Sequence, residues 1–107
     1  MNIYTIYADV KEGVDPKDFV IKMSRFLDTL DTMYTYRITR MKLGFRSMDM
    51  PEFRIDMEFR TLGALDQAMN KVLYNDDTDE KHVAFNQLVD VETIQHFLYR
   101  DYPADKA

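Results

Sequence analysis

The sequence has no cysteine and no tryptophan, only three glycines and three prolines, and fewer basic residues than acidic ones, 14 against 19. Without cysteine there can be no disulfide, no thiolate nucleophile and no cysteine-based zinc site. A net charge of −5 is the wrong sign for neutralising phosphates, so neither nucleic acid nor an anionic membrane surface is an expected partner. The glycines form no phosphate-cradling loop, and no serine nucleophile elbow or Walker pattern occurs. No apolar run approaches the roughly 20 residues of a membrane-spanning helix. The first residues, Met1 to Tyr7, lack the basic start and long apolar core of a signal peptide. These absences lead us to expect a soluble, cytoplasmic protein.

What is present is enough for one core. The 107 residues, 46% of them hydrophobic, read as one domain, residues 1–107, with no repeat, low-complexity run or linker. The clearest signal is Glu52 to Arg60. Phe53, Ile55, Met57 and Phe59 alternate there with Arg54, Asp56, Glu58 and Arg60, the period of a strand buried on one face and charged on the other. The preceding stretch, Tyr34 to Arg46, is expected to pair with it as a hairpin through residues 47–51. Charge predicts the register: Arg46 opposite Glu52, Lys42 opposite Asp56 and Arg40 opposite Glu58, because like charges directly opposite are unfavourable. That register stacks Met41, Leu43 and Phe45 beside Met57, Ile55 and Phe53. It also sets Gly44 opposite Arg54.

Residues 2–10 read as a strand with Ile3, Thr5 and Tyr7 on one face and Tyr4, Ile6, Ala8 and Val10 on the other. Asp15-Pro16 is a helix start, followed by an apolar stripe at Phe19, Met23, Phe26, Leu27 and Leu30. Thr61 is expected to cap a second amphipathic helix. The acidic residues 75–79 break that helix, and Thr78 or Asp79 is expected to cap a third, with Phe85, Leu88 and Val89 as its apolar edge. Asp76, Asp77, Asp79 and Glu80 lack the glycine and spacing of an EF-hand, so they read as a helix start and no metal site is expected. Residues 92–100 form a last strand whose two faces are equally apolar, which suits a strand covered on both sides. The order strand, helix, strand, strand, helix, strand predicts a ferredoxin-like α+β fold: a four-stranded antiparallel sheet with its helices on one face.

The face without helices is then expected to carry Tyr36, Ile38, Arg40, Lys42 and Arg46 beside Arg54, Asp56, Glu58 and Arg60, with Ile3, Thr5 and Tyr7 from the first strand. It is too apolar to be left to water and too charged for ordinary core. A second copy of the chain, packed sheet to sheet, would cover it. An RNA-recognition domain has the same topology but presents stacking aromatics on the third strand, where this chain has Arg54, Asp56, Glu58 and Arg60.

The strand order, a hairpin rich in Arg and Tyr, and a broken second helix ahead of His96-Phe-Leu-Tyr99 resemble the dimeric α+β-barrel superfamily. The resemblance implies a homodimer and a small organic ligand, with no cofactor. Members include cofactor-independent monooxygenases acting on aromatic polyketides and haem-degrading enzymes. The latter depend on a tryptophan that this chain lacks. Tyr7, Tyr36 and Arg54, with Asp56 and Glu58, are the candidate ligand-binding residues, Arg54 for an acidic or enolate-like group. His96 and His82 are the candidate catalytic residues, for moving a proton. A histidine on a helix face beside apolar residues is more often simply half-buried, and the face of His96 cannot be assigned from its strand. Asp56 and Glu58 could raise one another's pKa, but facing cations would keep them ionised and structural. Met48 and Met50, in the hairpin loop, are expected to pack on the partner or cover the cavity mouth. Three readings stay open: a dimer that binds a small acidic or aromatic molecule, a cofactor-independent monooxygenase or isomerase, and a structural or regulatory dimerisation module.

Overall fold

The computed structural model describes residues 1–42 and 50–103. Its elements run β1 (Asn2–Val10), α1 (Pro16–Leu27), β2 (Thr35–Arg40), β3 (Phe53–Phe59), α2 (Leu62–Tyr74), α3 (Asp76–Asn86) and β4 (Val89–Arg100). The strands form one antiparallel sheet in the order β2-β3-β1-β4. This is the ferredoxin-like arrangement.

β3 takes the form its alternation requires. Phe53, Ile55, Met57 and Phe59 are all buried, whereas Arg54 is exposed and Asp56 and Glu58 are half-buried. Each apolar residue of β3 sits beside β1: Phe53 by Ala8, Ile55 by Ile6 and Met57 by Tyr4. α1 packs on this face. The Asp15 side chain accepts from the Lys17 amide at 2.9 Å and Pro16 opens the first turn, so the helix starts where its cap dictates. Its stripe of Phe19, Met23, Phe26 and Leu27 is buried, with the Phe19 and Phe53 rings 5.1 Å apart.

β2 departs from the expected register. Glu58 faces Thr35 rather than Arg40, Asp56 faces Arg37 rather than Lys42, and Arg54 faces Thr39. The offset between Arg40 and Thr35 is odd, so each β2 side chain lies on the opposite face from the one expected. Tyr36 and Ile38 therefore pack against the helix-side core, and Arg37 takes the other face. The cause is the short link from α1. Leu30 is buried and Met33 half-buried against the core, and the Thr32 hydroxyl donates to the Ala64 carbonyl at 2.7 Å. The chain is thus delivered to the end of β3, where the Tyr34 amide donates to the Glu58 carbonyl at 2.8 Å. Surface charge pairs contributing roughly 0.2–1 kcal/mol each do not override that tether. Arg40 pairs instead with Glu52 at 2.5 Å. The pairing expected of Arg46, the neighbours Leu43, Gly44 and Phe45, and Met48 lie outside the described residues; Met50 is exposed.

The second helix breaks at Asn75, at the start of the expected stretch. Asn75 closes α2 and also caps α3, its side chain accepting from the Thr78 amide at 3.0 Å. Thr78 is not a cap but is fully buried, its hydroxyl donating to Thr29 Oγ1 at 3.1 Å. Val89 belongs to β4, not to the third helix. Pairing with β1 across an irregularity between Tyr7 and Asp9 sets His96 beside Ile6 and Leu98 beside Tyr4 on the helix side, and Gln95, Phe97 and Tyr99 on the open side. Within the single chain the end of β4 is covered on neither side: Phe97, Leu98 and Tyr99 are 43%, 53% and 46% exposed.

Truncating the fully buried Phe59 to Ala is expected to cost about 3–5 kcal/mol, and Ile38→Ala about 1–2 kcal/mol, read from urea denaturation. A loss under about 0.5 kcal/mol for Ile38→Ala would return β2 to the opposite parity.

Candidate functional site

The sheet separates two groups of polar side chains. On the open face, the Thr5 hydroxyl donates to Asp56 Oδ1 at 2.6 Å, and Arg54 Nε donates to Asp56 Oδ2 at 3.0 Å. The Arg54 guanidinium lies 5.6 Å from the Tyr7 ring centre. Tyr7 meets Phe97 edge-on at 5.9 Å, and Phe97 lies 6.1 Å from Tyr99. Tyr7, Arg54 and Asp56 are therefore together. Glu58 joins Arg54 and Asp56 in lining an open concavity of about 350 Å3, with Ile3, Thr35, Arg37 and the edge of Tyr36.

Two expectations change here. Arg54 is not free of a carboxylate, because Asp56 on its own strand holds its Nε. Tyr36 is not on this face: its hydroxyl donates to Asp28 Oδ1 at 3.0 Å, at the end of α1. Burial, followed by that carboxylate, raises the Tyr36 pKa. The expected pairs of Lys42 with Asp56 and of Arg40 with Glu58 do not form.

On the helix side both histidines converge. His96, whose face was open from sequence, and His82 of α3 line one cavity of about 170 Å3. Its walls are mostly apolar, including Ile6, Met23, Phe85 and Ile94. His82 packs edge-on to Phe26 and Phe85, ring centres 5.3 and 5.1 Å away. Burial there lowers its pKa, and nearby Asp79 offsets part of the effect. His82 is thus a neutral imidazole near neutral pH, able to accept a proton.

The His96 Nδ1 lies 2.6 Å from the Tyr4 hydroxyl. Burial raises the Tyr4 pKa, so the phenol keeps its proton. The tautomer of the His96 ring sets which of the two groups donates in this contact. Tyr4 was missed in the sequence because only the β1–β4 register brings it to His96. A larger groove of about 420 Å3 between α1 and β2 is lined by Val20, Ile21, Ile38 and Phe53 and carries Lys17 and Arg40. Arg40 is already held by Glu52. Among the described residues no three His, Asp or Glu side chains are grouped to hold a metal ion, and no helix is long and apolar enough to cross a membrane.

These features define a ferredoxin-like α+β chain of the architecture found in dimeric α+β barrels. Across residues 1–107 it matches the model of a family described as "Family of unknown function (DUF6614)", and it belongs to that family. No curated protein matches it in sequence. Among solved structures, a protein of Arabidopsis thaliana refined as an ensemble is similar with TM-score 0.77 and 11% identity, over 98% of this chain and 99% of that one. SnoaB, a cofactor-independent oxygenase from Streptomyces nogalater, gives TM-score 0.68 and 13% identity over 99% and 97%. A dimeric ferredoxin-like protein of unknown function from Jannaschia sp. gives 0.70 and 9% over 94% and 98%. Identities this low establish the fold alone.

The lowered pKa of His82 has a sign that can be tested. The unfolded chain takes up the proton first as pH falls, so stability drops from near neutral through about 6.5 until the folded-state pKa is reached. His82→Gln is expected to flatten this part of the curve, measured as urea midpoints against pH. An unchanged slope would assign the effect to other groups.

Proposed function

We propose that the chain acts as a homodimer that holds a small, mostly apolar molecule in the cavity between β1, β4 and α3, its polar group against His82 and the Tyr4–His96 pair. The convergence of both histidines on one mostly apolar cavity, with the half-buried Tyr4 hydroxyl held against His96, carries this reading. Apolar walls with a few convergent polar groups and a shifted pKa are the usual marks of a ligand site. The volume of about 170 Å3 lies below the roughly 300–1,000 Å3 of sites for drug-sized molecules, which suits a small ligand. The dimer reading is supported by the exposed Phe97 and Tyr99 on the open face and by the dimeric Jannaschia protein of similar fold. The engagement of Arg54 by Asp56 removes the reason for requiring an acidic ligand. Tyr7, Arg54, Asp56 and Glu58 are assigned to the subunit interface instead, and Tyr36 to the tie between β2 and α1.

A second reading, a cofactor-independent isomerase or monooxygenase, is favoured by the neutral His82 and by the fold shared with SnoaB. In the isomerase form, His82 takes a proton from carbon next to a carbonyl and returns it to another atom of the same molecule. The Tyr4–His96 pair supplies a hydrogen bond to the oxygen that gains charge. No second reactant is consumed.

Native mass spectrometry is expected to report twice the subunit mass, together with any retained molecule. A ligand, retained or found by screening small aromatic and carbonyl compounds, is expected to shift the His82 and His96 resonances together. Its affinity should fall at least tenfold in His96→Ala, on the order of one lost hydrogen bond to a charged or polarised group. A ligand that moves Tyr7 and Arg54 but neither histidine would relocate the site to the open face.

A further inference from the structure

The open face has two unlike halves. β1 and β4 contribute the rings of Tyr7, Phe97 and Tyr99, and β2 and β3 contribute Thr35, Arg37, Glu58 and the concavity between them. Arg37 is exposed and, among the described residues, makes no ion pair or side-chain hydrogen bond. Phe97 and Tyr99 are nearly half exposed and pack with the rings of their own stripe. The register sets Arg37, Asp56, Thr5 and Phe97 in one row across all four strands. The hydrogen-bonded Thr5–Asp56 pair, between β1 and β3, is the middle of that row.

A two-fold contact must be complementary to itself. An axis between β2 and β3 leaves the aromatic stripe overhanging, and one between β1 and β4 leaves Arg37 overhanging. An axis through the middle of the row covers all four strands and reverses the row. Resting on the homodimer proposed above, we infer that the two copies meet about an axis parallel to the strands that passes between Thr5 and Asp56. The ring of each Phe97 then lies over the guanidinium of Arg37 of the partner subunit, and each aromatic half lies over the partner's half that carries Arg37. An arginine stacked on an aromatic face gains by cation–π attraction, more so once water is excluded.

Because the chain has no cysteine, Arg37→Cys and Phe97→Cys variants each carry one thiol. Facing sheets lie about 10 Å apart, beyond the roughly 4.4–6.8 Å Cα reach of a disulfide, so a short bifunctional thiol reagent is the probe. Mixing the two variants is expected to give far more cross-linked dimer than either alone. Arg37→Ala and Phe97→Ala are each expected to raise the dimer dissociation constant roughly tenfold to a hundredfold. The double variant should be no weaker than the weaker single one. Both side chains are exposed, and circular dichroism checks that the variants stay folded. A wild-type chain that is monomeric at micromolar concentration would overturn the dimer itself. A dimeric wild type with additive losses and no preferential cross-link would overturn only this axis.

Discussion

The structure depends on one side of β3 being wholly out of water. Phe53, Ile55, Met57 and Phe59 are all buried, and their side of the sheet is where α1 packs. Side chains alternate strictly along a strand, so this single face assignment propagates through each pairing. It puts Tyr4, Ile6 and Ala8 with the helices and Thr5 and Tyr7 opposite. It then puts His96 with the first group and Phe97 with the second. No polar contact in the molecule is strong enough to oppose it: burying one such side chain contributes about 1.5–3 kcal/mol, and β3 carries four of them.

As a result the chain has two surfaces back to back, separated by the thickness of one sheet. β1 serves both. Tyr4 reaches His96 on the helix side, while its neighbour Thr5 bonds Asp56 on the open side. The two sides are built from different materials. The histidine cavity is walled by apolar residues and holds His82, whose pKa is lowered by burial. The open face holds ion pairs and stacked rings that partly satisfy one another. A proton-moving site belongs in the first kind of setting and a recognition surface in the second.

Much of this was legible in residue order, because local signals specify local structure. The strict alternation of β3, the Asp15-Pro16 cap and the Thr61 cap each act within a few residues, and each is found where it was read. The break after α2 was legible as a turn-rich stretch, but not that Asn75 would serve both helices, because Thr78 is drawn inward by Thr29 from a distant segment. The β2 register was misjudged for a similar reason. Charge pairing compares strands as though their ends were free, whereas Leu30, Met33 and the Thr32–Ala64 bond tether the start of β2. The face of β4 was unreadable because both its faces are apolar. Only its partners on β1 separate His96 from Phe97.

The misreading of Arg54 follows from looking only across strands. Residues two apart on one strand share a face, so Asp56 was within side-chain reach of Arg54 from the start. Once that pair is closed by Thr5 below and Tyr7 beside it, the charge that looked available is spoken for. The cation left over is Arg37, hidden from a sequence reading because the expected register turned it toward the core. A guanidinium in the core would be costly to bury; on the open face, opposite an aromatic stripe that water also covers poorly, it has a reason to be there. The same parity that leaves Asp56 beside Arg54 thus leaves Arg37 without an ion pair among the described residues.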